Sequence, residues 1–459
     1  MIIIYVSSYV NYYLRMQRGY NKIMLLSKEF CTSVQKSKGP FMDHYITQVY
    51  IEELRHLTDI CIALDSNRRT NLLLTGKNGS GKTTVLRALK KYLAVFIDGK
   101  SKELEEFYPK WLNDTKIRIE NAECEDEKYR AEKQYQIYLE QIKTYKDGVS
   151  VKFNNIDGIE RRYKEGNYIF AYYGADRKIG IIKQKSAGNV VLETSYSMDS
   201  DPGKVLLKYL VHLKTQQAYA RNENDMTTVK MLDKWFERFV DALKVLLDNP
   251  SIQLKYDYKN YNFEIIEDGR NAFGFDQLSD GYSAAIQIVA DLILRMEQNW
   301  LKKGELSSYD AEGIVLIDEL ETHLHIGLQK SILPFLTRFF PNIQFIISTH
   351  SPYILNSIEN CVIYDLEKRI RMENMSGYSA EGIVEGYFEL NSYSEALMKK
   401  VQRYRELADK GSPTPEERAE RASLRVELKQ LSGNLAREAK DAFEAIEDRR
   451  KRNDKVQSE

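Results

Sequence analysis

The sequence predicts an α/β fold built on a parallel sheet, and three stretches of the chain carry this prediction. A short apolar run, "NLLLT", leads into the glycine-rich stretch "GKNGSGKT" at residues 76–83, and a helical pattern follows. A second apolar run at residues 313–317 ends abruptly in two acids, Asp318 and Glu319. A third, "IQFIIS", ends in "THSP". Continuous apolar runs of this length are typical of strands buried on both faces, as in parallel sheets.

Strand-like and helix-like patterns alternate between residues 42 and 390. Residues 42–54 and 68–76 predict strands, and apolar positions at helical spacing predict a helix over residues 83–96. In two later segments, charged residues surround apolar positions three or four apart, which predicts helical insertions. The later predicted elements are an insertion at about 100–147, strand-like alternation over 150–196, an insertion over 203–247, a hairpin over 252–269, and helices over 282–301 and 327–339.

The two ends of the chain differ from this central part. Residues 1–41 are rich in Tyr and basic residues and show no clean period, so they form either an extension upstream of a natural start at Met42 or a segment packed on the core. After residue 391 the pattern is helical, with a capping box at Thr414-Pro415-Glu416-Glu417. We therefore predict an N-terminal extension (1–41), a main domain (42–390) and a C-terminal helical region (391–459).

Composition restricts the class of protein. Lys plus Arg equals Asp plus Glu at 67 each, so the net charge does not indicate a generally basic nucleic-acid binder. The four cysteines include no Cys-x-x-Cys pair, which argues against a zinc finger or a disulfide framework and fits a reducing cytoplasm. The apolar N-terminal stretch is shorter than the roughly 20 residues that a membrane span needs. We expect a cytoplasmic protein.

The stretch "GKNGSGKT" matches the phosphate-binding pattern Gly-x-x-x-x-Gly-Lys-[Ser/Thr], with the strand and helix that this pattern requires on either side. Its glycines allow successive backbone N–H groups to surround phosphate oxygens at a helix N-terminus. Lys82 would contact the β- and γ-phosphates, and Thr83 would bind Mg²⁺. The predicted ATP-binding residues of this P-loop are Gly76, Lys77, Asn78, Gly79, Ser80, Gly81, Lys82, Thr83 and Thr84.

A P-loop needs a second acid on the metal side and a group that activates water, and "IVLIDE" supplies both at a strand end. Asp318 is the candidate metal-side carboxylate beside Thr83, acting through a water. Glu319 is the candidate general base, which would polarise the attacking water toward the γ-phosphate.

Two further short motifs belong to the same predicted site. "QLSDGYSAA" places Ser279 and the backbone of Gly281 at a helix N-terminus, where an anion can bind, although Ser279 could also cap the helix without a ligand. "FIISTHSP" places His350 at the end of an apolar strand. A single histidine there is more often structural, but this one lies at the sheet edge that carries the acids.

The order "GKNGSGKT", "LSDG", "LIDE" and "STHSP" resembles the ABC-type ATPases of the SMC, RecF and OLD group, especially the compact AAA ATPases of bacterial defence and abortive-infection systems. The resemblance covers residues 42–385 approximately. It implies an ATPase head with an antiparallel β subdomain that forms a homodimer or a higher oligomer around two ATP molecules. Ser279 and Gly281 of one subunit would complete the ATP site of the other, with His350 as the γ-phosphate switch.

Two features depart from that family pattern: a glutamine is missing, and the long gap between Ser279 and Asp318 implies an extended loop beyond the signature helix. A metal-contacting glutamine between the first two motifs cannot be assigned, and Asp176 and Arg177 of "YYGADRK" occupy a comparable place. Relatives of the OLD class carry a nuclease domain after the ATPase, whereas the tail beyond residue 380 contains no acidic cluster within an apolar strand. We therefore do not expect this chain to cut nucleic acid itself.

Three functional hypotheses follow. The leading one is an ATP-hydrolysing switch that controls a separate effector, a nuclease or a toxin, in antiphage defence. The alternative is a RecF-like ATPase that binds duplex DNA in DNA repair. The third is a metalloenzyme in which Glu321, His323 and His325 bind zinc, manganese or iron. We interpret His323 and His325 instead as interface or loop-bracing side chains, and the expected metal as Mg²⁺ bound with ATP.

Overall fold

The computed structural model of the chain describes residues 43–176, 188, 190–303, 311–373, 375–388, 395–410, 413–429 and 443–448. The predicted N-terminal extension at residues 1–41 lies outside the described residues, as does Arg177. The predictions for those residues stay untested.

Twelve strands are present in the described residues, and they form three sheets. They are β1 Ile46–Leu54, β2 Leu57–Ala63, β3 Asn71–Thr75, β4 Val149–Phe153, β5 Tyr168–Tyr173, β6 Gln253–Asp257, β7 Asn262–Ile266, β8 Phe273–Gly274, β9 Glu312–Ile317, β10 Ile343–Ser348, β11 Cys361–Asp365 and β12 Ile370–Met372. The largest sheet has six strands in the order β12-β11-β3-β10-β9-β5. All its neighbours pair in parallel except β11 and β12. The predicted α/β fold with a parallel sheet is confirmed.

The helices lie between and around these strands. Over the described residues they are α1 Lys82–Ile97, α2 Tyr108–Glu120, α3 Glu125–Tyr145, α4 Ile159–Lys164, α5 Leu206–Asn222, α6 Met226–Leu246, α7 Asp280–Lys303, α8 Ile326–Phe339, α9 Pro352–Leu355, α10 Ala380–Gly382, α11 Glu395–Asp409 and α12 Pro415–Lys429. Short π-helical turns at Glu103–Phe107 and Ile383–Tyr387 precede α2 and follow α10.

Three adjacent strands of the central sheet carry the predicted site motifs. β10 lies between β3 and β9, and every residue of these three strands is buried. Because they are parallel, their carboxyl ends meet at one edge of the sheet, where α/β proteins bind ligands. The P-loop follows β3, Asp318 follows β9, and "THSP" follows β10 at this edge.

Each face of the central sheet has its own hydrophobic core, because side chains alternate along a strand. On one face, Leu72, Leu74 and Leu316 pack with the apolar side of α1 and with the antiparallel sheet β2-β1-β4. On the other face, Leu73 and Ile317 pack with α5, α6, α7 and α8. The helix that begins at the P-loop and the helix that begins at "SDG" therefore lie on opposite faces.

Helical insertions and a small antiparallel sheet extend this core, as the predicted fold class requires. Helices α2 and α3 pack together through Tyr108, Trp111 and Tyr138, whose ring centroids lie 5.4–6.1 Å apart. Helices α5 and α6 pack beside the antiparallel sheet β6-β7-β8, with Trp235 buried among them. The predicted insertions and hairpin are therefore present as separate elements on the sheet core.

The described part of the C-terminal region consists of α11, α12 and a short helical stretch at residues 443–448. Tyr404, Leu428 and Phe443 form a small hydrophobic core of their own. The capping box at the start of α12 is present: Glu417 N–H donates to Thr414 Oγ1 at 3.2 Å, and Thr414 N–H donates to Glu417 Oε2 at 2.9 Å. The helical tail of the predicted fold class is confirmed.

Several elements were not foreseen from the sequence, among them β2, β11, β12 and α4. Strand β2 was missed because its polar alternation continues through the turn after β1, and β11 and β12 were not assigned. Residues 150–196 were expected to be strand-like throughout, but Ile159–Lys164 forms α4. This short helix begins after Gly158, whose φ angle of 83° breaks the strand.

Among the described residues, no helix is both long enough and apolar enough to cross a membrane.

Candidate functional site

The P-loop connects β3 to α1 through glycines that adopt positive φ angles. The φ angle is 129° at Gly76, 85° at Gly79 and 101° at Gly81. An added Cβ atom would lie 2.8 Å from Ser80 Oγ at Gly76 and 2.8 Å from Leu57 Cδ1 at Gly81. Other residues would be strained in this backbone region. Ser80 Oγ is buried with no hydrogen-bond partner among the described residues, as expected of a group that faces a ligand.

Lys82, the first residue of α1, folds back over the P-loop. Its Nζ donates hydrogen bonds to Gly76 O at 2.8 Å and to Lys77 O at 3.1 Å. Burial lowers the pKa of Lys82, and the nearby carboxylates at the end of β9 oppose this shift. The ammonium group therefore lies inside the loop whose backbone would surround a phosphate.

Asp318 follows β9 directly and is 1% exposed. Its Oδ1 accepts hydrogen bonds from Ser348 Oγ at 2.5 Å and from Thr83 Oγ1 at 3.2 Å. Its backbone N–H donates to Tyr173 O at 2.8 Å. Thr83 and Asp318 are distant in sequence, but the fold places their oxygens side by side, and a hydroxyl with a carboxylate suits Mg²⁺.

Glu319 adopts a left-handed backbone conformation, with a φ angle of 47°. A non-glycine residue in this region costs about 1–3 kcal/mol and persists where its surroundings hold it. Here its N–H donates to Ser348 Oγ at 2.8 Å and its carbonyl oxygen accepts from Thr322 N–H at 3.0 Å. Thr322 Oγ1 also donates to Glu319 Oε2 at 3.4 Å. The candidate base is therefore held in a turn at the end of β9.

His350 lies next to Glu321 at the ends of β10 and β9. The backbone N–H of His350 donates to Glu321 Oε1. Nε2 of His350 and Oε2 of Glu321 are buried with no hydrogen-bond partner among the described residues. Burial lowers the pKa of His350, and the positive charge of Lys82 adds to this shift. The imidazole is thus held in its neutral form beside the P-loop lysine.

Gly281, one of the two predicted signature residues, contacts the loop after β9 at the start of α7. An added Cβ atom on Gly281 would lie 2.4 Å from His323 O, so the two backbones approach closely. Ser279 O accepts a hydrogen bond from Ser283 N–H at 3.0 Å, the first turn of α7. Farther along the loop, His325 Nδ1 accepts from Gly327 N–H at 2.8 Å and caps α8.

The end of β5 joins the site to α7 through residues that the sequence analysis did not single out. Tyr173 Oη donates to Asp291 Oδ2 at 2.5 Å, and Arg295 Nε donates to the same oxygen at 2.7 Å. Arg295 also donates to the carbonyl oxygen of Ser197 at 2.9 Å. The side chains of Asp291 and Arg295 are almost completely buried. A spacing signal for this pair was present, because Asp291 and Arg295 are four residues apart, where opposite charges are neighbours on a helix.

Asp176 lies just beyond β5, in the place considered for the missing glutamine. Its Oδ1 would be 2.7 Å from a Cβ atom added to Gly174. Hydrogen bonding to Tyr172, together with the charges of Asp318 and Asp176, raises the pKa of Arg87 on α1. Arg87, one turn of α1 beyond Thr83, is therefore within electrostatic reach of both Asp318 and Asp176.

The turn after β11 contacts the P-loop, and the sequence did not predict this contact. Glu367 accepts hydrogen bonds from the Lys77 backbone N–H at 3.2 Å and pairs with Lys77 Nζ at 3.0 Å. Asp365 accepts from Glu367 N–H at 2.7 Å and from the hydroxyl of Tyr387. The signal was present in "CVIYDLEK", another apolar run that ends in acids. A hydrogen bond and an ion pair therefore connect the P-loop to the turn between β11 and β12.

The polar groups of this site are better suited to binding ATP with Mg²⁺ than to binding a metal ion held by protein side chains alone. The glycine cradle, the orphaned Ser80 hydroxyl and the buried Lys82 suit phosphate oxygens. Over the part of the chain that is described, no group of three or more His, Cys, Asp and Glu side chains could hold a metal ion. Glu321, His323 and His325 accordingly do not converge on one.

Two family models match consecutive parts of the chain. Residues 45–187 match the family described as an AAA ATPase domain. Residues 196–356 match the family described as an AAA domain, putative AbiEii toxin, Type IV TA system. The first match contains the P-loop, and the second contains the other three motifs.

Three curated proteins illustrate the similarity. The Septu protein PtuA of Bacillus mycoides (strain KBAB4) is 24% identical over 426 residues, which cover 88% of this chain and 53% of that protein. The Retron Ec83 probable ATPase of Escherichia coli is 28% identical, covering 41% and 39%. The Retron Vc95 probable ATPase of Vibrio cholerae serotype O1 biovar El Tor is 33% identical, covering 32% and 30%. The chain spans about half the length of the first relative and less of the other two.

Among solved structures, the chain is similar to SMC heads. An SmcHead bound to the C-winged helix domain of ScpA is 11% identical, with a TM-score of 0.36, and covers 72% of this chain and 99% of that one. The SMC head domain from Thermotoga maritima is 13% identical, with a TM-score of 0.32, and covers 70% and 94%.

Proposed function

We infer that the chain is an ABC-type P-loop ATPase of the AAA group. This group includes ATPases of bacterial defence and abortive-infection systems. We propose that the chain binds ATP with Mg²⁺ between the P-loop and the end of β9, hydrolyses it, and uses this cycle to switch a separate effector. The observation that carries the proposal is the convergence of Lys82, Thr83, Asp318 and Glu319 at one sheet edge.

We attribute ATP binding to groups that the fold positions before the nucleotide binds. The P-loop N–H groups surround the phosphates, and Lys82 moves its hydrogen bonds from the loop carbonyls to phosphate oxygens. Thr83 and Asp318 would hold Mg²⁺, Asp318 through a water. When bound, the metal neutralises charge on the β- and γ-phosphate oxygens.

Glu319 is the group that we assign to water activation. Its carboxylate accepts a proton from the attacking water, and its fixed turn keeps it at the end of β9. The backbone of His350 is hydrogen-bonded to Glu321, and its neutral imidazole donates a hydrogen bond to the γ-phosphate. This bond forms only while the γ-phosphate is bound. Loss of that phosphate would release the contact between β10 and the nucleotide.

We also propose a head-to-head homodimer, or a larger assembly built from it. The signature residue Gly281 contacts the loop after β9 of its own chain, which supports a composite surface rather than an intramolecular contact with the P-loop. A second copy would place its signature residues on the γ-phosphate. Hydrolysis would then depend on dimerisation.

The proposed setting is antiphage defence, with a nuclease or a toxin as the controlled effector. The similarity to a Septu protein and to two retron ATPases supports this setting. Co-purification from native cells, with and without ATP, would identify the effector. DNA binding stays an alternative prediction.

The central experiment compares the wild-type protein with Glu319→Gln. We expect steady ATP turnover by the wild type and at least a hundredfold loss by the variant, since a general base contributes about 10²–10⁴-fold. The variant should retain ATP and form a more stable dimer, measured by retained nucleotide and by light scattering. Glu359→Gln is the matched control, because Glu359 is an exposed glutamate away from the site. Absence of wild-type turnover, together with no nucleotide retention by Glu319→Gln, would contradict the proposal.

A further inference from the structure

Ser348, the last residue of β10, lies directly beside Asp318. In the parallel pairing of the two strands, Ile347 is in register with Ile317, so the next residues are Ser348 and Asp318. Neighbouring strands are separated by about 4.8 Å, which a short hydroxyl side chain can bridge. Ser348 is 0% exposed, so its hydroxyl must find its partners inside the protein.

The hydroxyl of Ser348 uses both of its roles. As a donor it binds Asp318 Oδ1 at 2.5 Å, and as an acceptor it receives the backbone N–H of Glu319 at 2.8 Å. A serine hydroxyl has one proton, so these two contacts fix its orientation. The Ser348 hydroxyl therefore contacts the carboxylate of Asp318 and the backbone of Glu319.

The backbone of Ser348 holds the same turn from a second point. Its carbonyl oxygen accepts the N–H of Leu320 at 3.2 Å, immediately after Glu319. Two consecutive N–H groups, at Glu319 and Leu320, are thus bound by one residue. This contact holds Glu319 in its left-handed conformation, which an unsupported glutamate would leave.

We propose that Ser348 is a positioning residue for ATP hydrolysis: its hydroxyl orients the metal-side carboxylate of Asp318 and fixes the backbone of the candidate base Glu319. This inference rests on the proposed function and adds a residue to it. Without the hydroxyl, Asp318 loses a donor, and the N–H of Glu319 loses its acceptor. Mg²⁺-dependent binding and the chemical step should weaken together, while binding of nucleotide alone should not.

The test is Ser348→Ala in the full chain, with a fluorescent, non-hydrolysable ATP analogue titrated in Mg²⁺ and in EDTA. We expect the affinity in EDTA to stay within about twofold, and the tightening caused by Mg²⁺ to fall by about 10–100-fold, the usual effect of removing a group that orients a metal ligand. The kcat for ATP should fall by a similar factor. Ser348→Thr, which keeps a hydroxyl, should recover most of both effects.

Ser331→Ala is the matched control, since Ser331 Oγ contacts only carbonyl oxygens of α8, at 3.4 Å. If Ser348→Ala does not fold, Ser348→Cys replaces it, because a thiol fills the space but is a weaker donor. An unchanged Mg²⁺ effect and kcat in the folded variant would overturn the inference, as would an equal loss in Ser348→Thr. If the wild-type protein binds the Mg²⁺–nucleotide complex but does not hydrolyse ATP, the proposed ATPase activity is wrong. The comparison of analogue affinities in Mg²⁺ and in EDTA still tests the role of Ser348.

Discussion

Glu297 is a buried carboxyl group that sits inside a hydrophobic core. It lies on α7 and accepts hydrogen bonds from Tyr209 Oη at 2.8 Å and Trp235 Nε1 at 3.2 Å. Burial raises the pKa of Glu297 to about 7, and these two hydrogen bonds only partly oppose the shift. The protonated form is therefore the one that the fold prefers.

This raised pKa predicts a loss of stability as pH rises. Between about pH 4.5 and 7 the unfolded chain releases the proton while the folded chain keeps it, so the free energy of unfolding falls, by about 3 kcal/mol in all. Glu297→Gln should remove this contribution. Relative to the wild type, the free energy of unfolding of Glu297→Gln in urea should rise by about 2.5 kcal/mol between pH 5 and pH 8. Glu359→Gln should show no such relative change; parallel curves for wild type and Glu297→Gln would contradict the prediction.

Gly81 provides a prediction about the P-loop itself. With a φ angle of 101° and a Cβ position 2.8 Å from Leu57 Cδ1, it tolerates no side chain without strain of about 1–3 kcal/mol. Gly81→Ala should therefore weaken ATP binding by roughly tenfold or more, measured by fluorescent nucleotide titration. Gly377→Ala is the control, because an added Cβ there would have no neighbour within 4 Å. Equal affinities of the two variants would contradict the prediction.

At the scale of elements, one side chain joins the antiparallel sheet to the central sheet. Gln344 on β10 is 0% exposed. Its Nε2 donates to Ile46 O at 2.9 Å and to Thr70 O at 2.8 Å, and its Oε1 accepts from Ile46 N–H at 2.7 Å. Gln344 therefore gives both backbone groups of Ile46 a partner in the central sheet.

Replacing Gln344 by leucine should strongly destabilise the contact between the two sheets. Three buried backbone groups would lose their partner, and each such loss costs about 1–3 kcal/mol. We expect Gln344→Leu to lower the free energy of unfolding by about 3 kcal/mol or more, measured by urea denaturation. The exposed Gln402→Leu should change it by less than about 0.5 kcal/mol. A loss in Gln344→Leu no larger than that of the control would show that β1 is held by other contacts.

At the scale of the whole molecule, the signature residues and the P-loop lie at the starts of two helices on opposite faces of one sheet. A symmetric dimer would bring the signature of each chain to the P-loop of the other. Each ATP site would then need residues from both copies.

Complementation between two inactive chains tests this arrangement. Lys82→Ala lacks the P-loop lysine, and Ser279→Arg blocks the signature surface, so each should be inactive alone. A mixture should regain part of the ATPase activity, because a mixed dimer contains one site with an intact P-loop and an intact signature. A mixture of Lys82→Ala with Thr83→Ala is the control and should stay inactive, since both changes damage the same half of the site. No recovery in the first mixture would argue for sites formed within one chain.

The sequence alone determined the parts of this protein that depend on local spacing. The P-loop glycines, the acids after a buried apolar run, and the Thr414 capping box are each contained in a few consecutive residues, so their patterns predict β3, α1, β9 and α12. The order of the four motifs also indicated the ATPase class. These predictions succeeded because local backbone requirements and strand burial leave a clear residue pattern.

Only the tertiary structure decided which distant groups meet. Ser348 touches Asp318 because two strands are neighbours in register, and Glu367 reaches Lys77 because β11 lies next to β3. The buried Asp291 and Arg295 pair joins α7 to β5 because this helix packs on the face of the central sheet. Strand order and register are set by packing of the whole core, which no short stretch of sequence contains.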